Sequence, residues 1–151
     1  MPAIKTLEDL AEFTGREIAL TDWFEMTQER INQYADATDD HQWIHVDRER
    51  SERESPYKAT IAHGLLTLSL VPKFLSDSIP IDGLGMAINY GLNRVRFPAA
   101  VRAGALIRAR IVLLSTREVP DATEAIYSIT IESQDSDKPC CVAEMVVRYY
   151  R

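Results

Sequence analysis

The stretch from Ile61 to Phe74 constrains the fold most, because it is apolar on nearly every side. A helix that is apolar all round must be enclosed by other elements rather than lie on a surface with one face in water. The pattern therefore predicts a central helix over 61–74. Pro72 lies inside this segment, and since proline cannot donate a backbone hydrogen bond, it should kink the helix or end its regular hydrogen bonding.

Shorter elements precede this helix and β-like segments follow it. We predict a short helix from the cap Thr6 to Gly15, a strand over Glu17–Met26, a second helix from the cap Thr27, and a polar segment over 39–60 in which 47–54 forms a solvated helical turn. Later segments alternate or run apolar and are separated by turn residues, which predicts strands over Met86–Phe97, Ala105–Leu114, Glu124–Glu132 and Cys140–Tyr150. This order predicts an α+β domain whose antiparallel sheet wraps one long helix.

Composition narrows the classes of protein to which the chain can belong. The 151 residues, 46% of them hydrophobic, indicate a single domain over 1–151 with a core that needs no disulfide or structural metal. A net charge of −6 without a long basic run argues against nucleic acid as a partner, and no apolar stretch is long enough for a membrane span. The adjacent Cys140 and Cys141 are interpreted as buried apolar fillers, and the N-terminus lacks the pattern of a secretory signal, which suggests a cytoplasmic setting.

The three histidines, His41, His45 and His63, lie close together in the sequence and raise the question of a metal site. His41 and His45 have the four-residue separation of the zinc-protease helix motif, but Gln42 stands where that motif has its glutamate, and the pattern nominates no third ligand. We therefore predict no metal.

Asp40 and His45 suggest a different chemistry. A carboxylate and an imidazole five residues apart in a loop can converge on one water molecule and move protons near neutral pH. The alternative is that Asp40 caps a turn and His45 packs in the core, and for an arbitrary Asp and His at this spacing that alternative is favoured.

A second motif, Ile61-Ala-His63-Gly64, lies at the N-terminal end of the predicted apolar helix. Gly64 has no side chain, so a ligand oxygen can approach its backbone N–H, and the helix dipole favours negative charge there. Oxyanion holes are built in this way. Close helix-to-sheet packing is the alternative explanation for Gly64, and a cap or a core histidine is the alternative for His63.

These segments, together with Ile88 to Phe97, resemble the MaoC-like dehydratases, also called (R)-specific enoyl-CoA hydratases, and within them the nodulation protein N-like subgroup. The resemblance runs from about Phe24 to Val147. It implies a hot-dog fold and a homodimer with sites at or near the subunit interface. It also implies reversible addition of water to a trans-2-enoyl-CoA, giving the (R)-3-hydroxyacyl-CoA, with Asp40 and His45 as catalytic residues. Gly64 falls on the glycine whose N–H faces the thioester oxygen.

The chain departs from the usual sequence motif of this family at three positions near the catalytic pair. Asp39 replaces a glycine and adds a like charge beside Asp40, Gln42 replaces an asparagine, and Trp43 replaces a proline. The Gln42 amide can still hydrogen-bond, although its longer side chain places that amide differently, and Trp43 is expected to reshape the pocket wall. We assign both, with His63, to substrate binding.

The expected mechanism needs no metal or redox cofactor, and coenzyme A enters only as part of the substrate. Because coenzyme A carries phosphates, Arg94 and Arg96 are candidate substrate-binding residues, although alternation along a half-exposed strand explains them equally well. Two other functions stay open: thioester hydrolysis on the same fold, and a non-catalytic acyl-CoA-binding module.

Overall fold

The computed structural model describes residues 3–151, so the first two residues of the predicted domain lie outside the described range. Its helices are α1 (Leu7–Glu12), α2 (Gln28–Thr38), α3 (Trp43–Val46), α4 (Arg48–Glu54), α5 (Gly64–Ser69) and α6 (Val71–Ser78). Its strands are β1 (Glu17–Leu20), β2 (Phe24–Glu25), β3 (Met86–Arg96), β4 (Leu106–Val119), β5 (Ala122–Ser133) and β6 (Cys141–Tyr150).

The strands form one antiparallel sheet in the order β1-β4-β5-β6-β3, with the short β2 also paired to β4. Along β5 and β6, buried side chains alternate with half-buried ones, because one face of the sheet packs on the helices and the other faces outward. Ile129, Ile131 and Ala143 lie in the core with Val71 and Phe74 of α6. The α+β fold with a sheet around a long helix is thus confirmed.

The central helix begins and ends later than the sequence pattern indicates. It starts at Gly64 and reaches Ser78, with a break at Leu70, where the Leu70 N–H donates to the Thr67 carbonyl three residues back. Pro72 lies in the first turn of α6, where a proline is tolerated because the first helical N–H groups have no partner within the helix. The interruption of regular hydrogen bonding near Pro72 is confirmed, and the end at Phe74 is wrong.

Other boundaries differ for local reasons. The strand predicted over Glu17–Met26 is two strands, β1 and β2, both paired to β4. Strands β4 and β5 run longer than predicted because Pro120 and Asp121 form a tight turn, in which Asp121 has φ 65°. The segment 47–54 is the predicted helix, with ion pairs Arg48–Glu52 and Arg50–Glu54 one turn apart.

The caps and cysteines behave as predicted. Thr6 forms a reciprocal capping box with Asp9, and the Thr27 hydroxyl accepts from the Arg30 N–H. Cys140 and Cys141 are both free and buried, and burial raises the pKa of their thiols to about 12 and about 11, so neither is a thiolate at neutral pH. Within residues 3–151, no helix is long and apolar enough to cross a membrane.

The hydroxyl pair between Tyr127 and Tyr149 gives a test of the core. Their oxygens lie 2.7 Å apart beneath the helices, and burial raises the pKa of both phenols. Tyr127→Phe or Tyr149→Phe alone should lower the free energy of unfolding by about 1–3 kcal/mol, because each leaves one buried hydroxyl without its partner. The double variant should recover part of that loss. Urea unfolding of all four proteins measures the coupling, and strictly additive losses would contradict it.

Candidate active site

Asp40 follows the end of α2 and keeps its carboxylate accessible. Asp39 caps the helix with a left-handed backbone, φ 59°, which turns the chain away from the helix axis at this point. The Asp40 side chain is 53% exposed. His63 Nε2 lies 3.0 Å from the Asp40 backbone carbonyl oxygen and 3.9 Å from the carboxylate Oδ2, and Oδ1 accepts from the Gln42 N–H at 3.5 Å. The short main-chain hydrogen bond fixes the loop, and the exposed carboxylate keeps lone pairs available to a ligand.

His45 lies on α3, is 7% exposed, and is fixed from two sides. Its Nδ1 is 2.7 Å from the Ile61 carbonyl oxygen, which can only accept, so Nδ1 carries the proton and Nε2 keeps a lone pair. The backbone carbonyl of His45 accepts from Gln28 Nε2 at 2.8 Å. Burial lowers the pKa of His45, and the adjacent His63 lowers it further, against the opposing effects of the Ile61 carbonyl and Asp40. A neutral imidazole with a free Nε2 can act as a base.

His63 connects the two predicted catalytic residues. It is 3% exposed, and its ring stacks on that of His45 with centroids 3.7 Å apart and an interplanar angle of 23°. Its Nε2 donates to the Asp40 backbone carbonyl at 3.0 Å, and the Tyr34 ring packs near it, with centroids 4.8 Å apart. His63 thus holds Asp40 and His45 side by side, and its expected contact with the substrate stays a prediction.

Gly64 opens α5, and its missing side chain has a specific cause. A Cβ added at Gly64 would lie 2.9–3.1 Å from three ring atoms of Phe97. Glycine is needed here because the Phe97 ring packs against the helix start, which is the packing alternative raised from the sequence. The helix end is separately open to a ligand: its N-cap His63 makes no side-chain cap hydrogen bond, and the first backbone N–H groups have no partner within the helix.

A cleft of about 250 Å³ reaches this helix start. Its lining includes His45, Gly64, Thr67, Tyr57 and Phe97. The cleft brings the predicted base and the open helix end to one space.

Four other predicted substrate-binding residues lie elsewhere in the chain. Gln42 is exposed as the N-cap of α3, and the Trp43 ring lies under the Arg50 guanidinium at 4.3 Å. Arg94 and Arg96 share the outer face of the sheet and line a second cavity of about 390 Å³. In the strand register they stand opposite Glu144 and Val142 of β6. Within one chain, none of the four lines the cleft at Gly64. Their roles toward substrate stay predictions.

The histidines that meet are His45 and His63, while His41 pairs with Asp36 at 2.8 Å on the surface. Asp40, His45 and His63 each offer a possible metal-ligand atom within 4.8 Å of the others. Imidazole lone pairs lie in the ring plane, however, and the planes of these two stacked rings, tilted by 23° with centroids 3.7 Å apart, do not meet within bonding distance of both rings. A metal needs those lone pairs to converge, so this arrangement fits proton transfer better than metal binding.

A family model described as a MaoC-like domain matches residues 9–133. The chain therefore belongs to the MaoC-like dehydratase family and has its hot-dog fold, and the dehydratase relative that follows identifies it as a hydro-lyase. It is 45% identical over 150 residues to the 3-hydroxyacyl-thioester dehydratase Z of Mycobacterium tuberculosis, covering 99% of each chain. It is 38% identical over 143 residues to nodulation protein N of Rhizobium meliloti, covering 93% of this chain and 89% of the relative. Among solved structures, the unliganded R-hydratase from Pseudomonas aeruginosa superposes with a TM-score of 0.73 at 19% identity, covering 91% and 82% of the two chains.

The lowered pKa of His45 makes a prediction about pH. If neutral His45 is the base, kcat/KM for hydration should fall on the acid side with a midpoint below the ordinary histidine pKa of 6.5, because protonation removes the Nε2 lone pair. A pH series of kcat/KM measures that midpoint. An acid limb centred above 6.5 would be inconsistent with a His45 whose pKa is lowered.

Proposed function

We propose that this protein is an (R)-specific 2-enoyl-CoA hydratase, which in the reverse direction dehydrates (R)-3-hydroxyacyl-CoA. One observation carries the proposal: His63 holds Asp40 and a neutral His45 together, and His45 lines the same cleft as Gly64, at a helix start with unpaired N–H groups. The relative named 3-hydroxyacyl-thioester dehydratase Z supports the thioester substrate class.

The proposed reaction moves one water molecule and one proton. Asp40 and His45 hold the water, and His45 Nε2 takes a proton from it as its oxygen bonds to C3 of the enoyl thioester. The electron pair of the double bond moves toward the thioester oxygen, which the Gly64 N–H stabilises. A proton returned from the pair to C2 completes the addition, so both hydrogens and the oxygen of the water end in the product. No metal or redox cofactor enters these steps.

Coenzyme A is the proposed carrier of the acyl group. Its phosphates require cations, and among the described residues Arg94 and Arg96 form no ion pair with a carboxylate of this chain. Both are exposed on β3 and remain available to a phosphate. This supports their assignment to substrate binding through a site that a second subunit shares.

The hydration reaction gives the direct test. Purified protein is mixed with a short trans-2-enoyl-CoA, loss of the conjugated double bond is followed by absorbance, and a thiol reagent reports free coenzyme A. We expect hydration without thiol release. Asp40→Asn and His45→Gln should each lower kcat by at least about 10²-fold, because each removes one partner of the proton-transferring pair.

His41→Gln is the matched control, since His41 is a neighbouring histidine paired with Asp36 on the surface. It should keep wild-type kcat. Near-normal turnover by Asp40→Asn or His45→Gln would refute the catalytic assignment. Thiol release would instead favour hydrolysis, and tight binding of the substrate without either signal would favour the non-catalytic module.

We further propose a homodimer formed along β3. This strand lies at the end of the sheet, and within residues 3–151 only β6 pairs with it. Its 11 residues expose Met86, Ile88, Tyr90 and Leu92, and a long apolar edge strand of this kind favours pairing with another chain.

Ile88→Asp tests the dimer. Ile88 is opposite Arg148 on β6, so an aspartate there gains a cross-strand cation within the chain, while two such charges repel across a β3–β3 interface. Light scattering should give twice the 17.1 kDa chain mass for wild type and a shift toward that chain mass for the variant. Leu114→Asp, at an exposed leucine on β4, is the control and should stay dimeric. A wild-type mass of 17.1 kDa would contradict the proposal.

A further inference from the structure

Thr67 presents a buried hydroxyl without a hydrogen-bond partner. Across residues 3–151, only two buried side-chain polar atoms are unpartnered: His63 Nδ1 and Thr67 Oγ1. The first belongs to a ring that already makes one hydrogen bond, from Nε2 to the Asp40 carbonyl. Nothing within the chain accounts for the second, and Thr67 is only 1% exposed.

The unpaired state of this hydroxyl is unusual for its position. Inside a helix, a Ser or Thr hydroxyl commonly donates to the carbonyl four residues back. Thr38 does so to Tyr34 at 2.8 Å, and Ser69 does so to Leu65 at 2.6 Å. In Thr67, the backbone N–H donates to the His63 carbonyl at 3.2 Å, but the hydroxyl does not. Its hydrogen-bonding capacity is free for another group.

The location of Thr67 indicates which kind of group. Thr67 lines the same cleft as His45 and Gly64, together with the buried Ala62 and Cys140. Side chains in a helix tilt toward its N-terminus, and Thr67 lies three residues after Gly64, on the same helix face one turn along. The side chain is thus directed back toward the helix start.

We infer that the Thr67 hydroxyl donates a hydrogen bond to the substrate's thioester oxygen, as a second donor beside the Gly64 N–H. The inference rests on the proposed function, since it names a further substrate contact in that site. As negative charge grows on the thioester oxygen during addition of water, both donors stabilise it more strongly than they stabilise the bound substrate.

Thr67→Val and Thr67→Ser separate the hydroxyl from the packing of the side chain. Valine keeps the shape and removes the donor, whereas serine keeps the donor and removes the methyl group. With a trans-2-enoyl-CoA as substrate, Thr67→Val should lower kcat by about 10²-fold and raise KM by no more than about fivefold. Thr67→Ser should stay within a few-fold of wild type, and Thr67→Val should unfold at the same or a higher temperature, because valine buries no unpaired hydroxyl.

Ser69→Ala is the control, since the Ser69 hydroxyl is already paired within the same helix. It should leave kcat unchanged. Wild-type kcat in Thr67→Val would overturn the inference, and so would equal losses in Thr67→Val and Thr67→Ser, which would assign the effect to packing.

Binding of a saturated acyl-CoA, which has the thioester oxygen but no double bond to hydrate, distinguishes this inference from the proposed function. Thr67→Val should bind it about fivefold more weakly than wild type, as expected for one lost hydrogen bond. Failure of wild type to hydrate any enoyl-CoA would refute the proposed function alone. Equal affinity of wild type and Thr67→Val for the saturated thioester would refute the role of Thr67.

Discussion

The His45–His63 ring stack is the contact on which the site depends. The two buried rings lie 3.7 Å apart, and burial is the largest cause that lowers the pKa of His45, with the adjacent His63 lowering it further, so the neutral state of His45 is favoured. His63 also fixes the Asp40 loop by donating to its backbone carbonyl, with the Asp40 carboxylate 3.9 Å from the same ring nitrogen. One buried side chain therefore positions both Asp40 and His45, while burial of His45 favours the neutral imidazole that can act as the base.

The fold supplies this contact by pinning the chain just before the central helix. Ile61 N–H donates to the Ile44 carbonyl, Ala62 N–H donates to Val101, and Ala103 N–H donates to Thr60. The segment 60–62 is thus held between α3 and the residues that precede β4. The Ile61 carbonyl is directed at His45 Nδ1 as a result, and Gln28, which also accepts a hydrogen bond from Thr60, holds the His45 carbonyl from the other side.

Local signals in the sequence were enough for much of the fold. Capping residues such as Thr6 and Thr27, and the alternation along β5 and β6, act over a few residues and can be interpreted without tertiary contacts. The start of the central helix could not be located in the same way, because Ile61 and Ala62 are as apolar as the helix itself. Their backbone groups pair with distant segments instead, and only the folded chain shows this.

The active site also divides into features with a local sequence signal and features that depend on tertiary contacts. Asp40, His45 and Gly64 could be nominated from their residue types, their spacing and the family resemblance. The role of His63 and the reason for a glycine at position 64 could not, because they depend on a histidine 18 residues and a phenylalanine 33 residues away in sequence. Thr67 had no sequence signal at all, since only its missing hydrogen bond distinguishes it from an ordinary helical threonine.

The Asp40–His45 pair is proposed to add one water molecule across a carbon–carbon double bond. Turnover of a trans-2-enoyl-CoA in ¹⁸O-labelled water, followed by mass spectrometry of the intact thioester and of any free acid, tests it most directly. The account predicts one ¹⁸O in the intact thioester, at the C3 hydroxyl, and no labelled free acid. Label in the carboxyl group of a released acid would contradict it, because the water would then have attacked the carbonyl carbon.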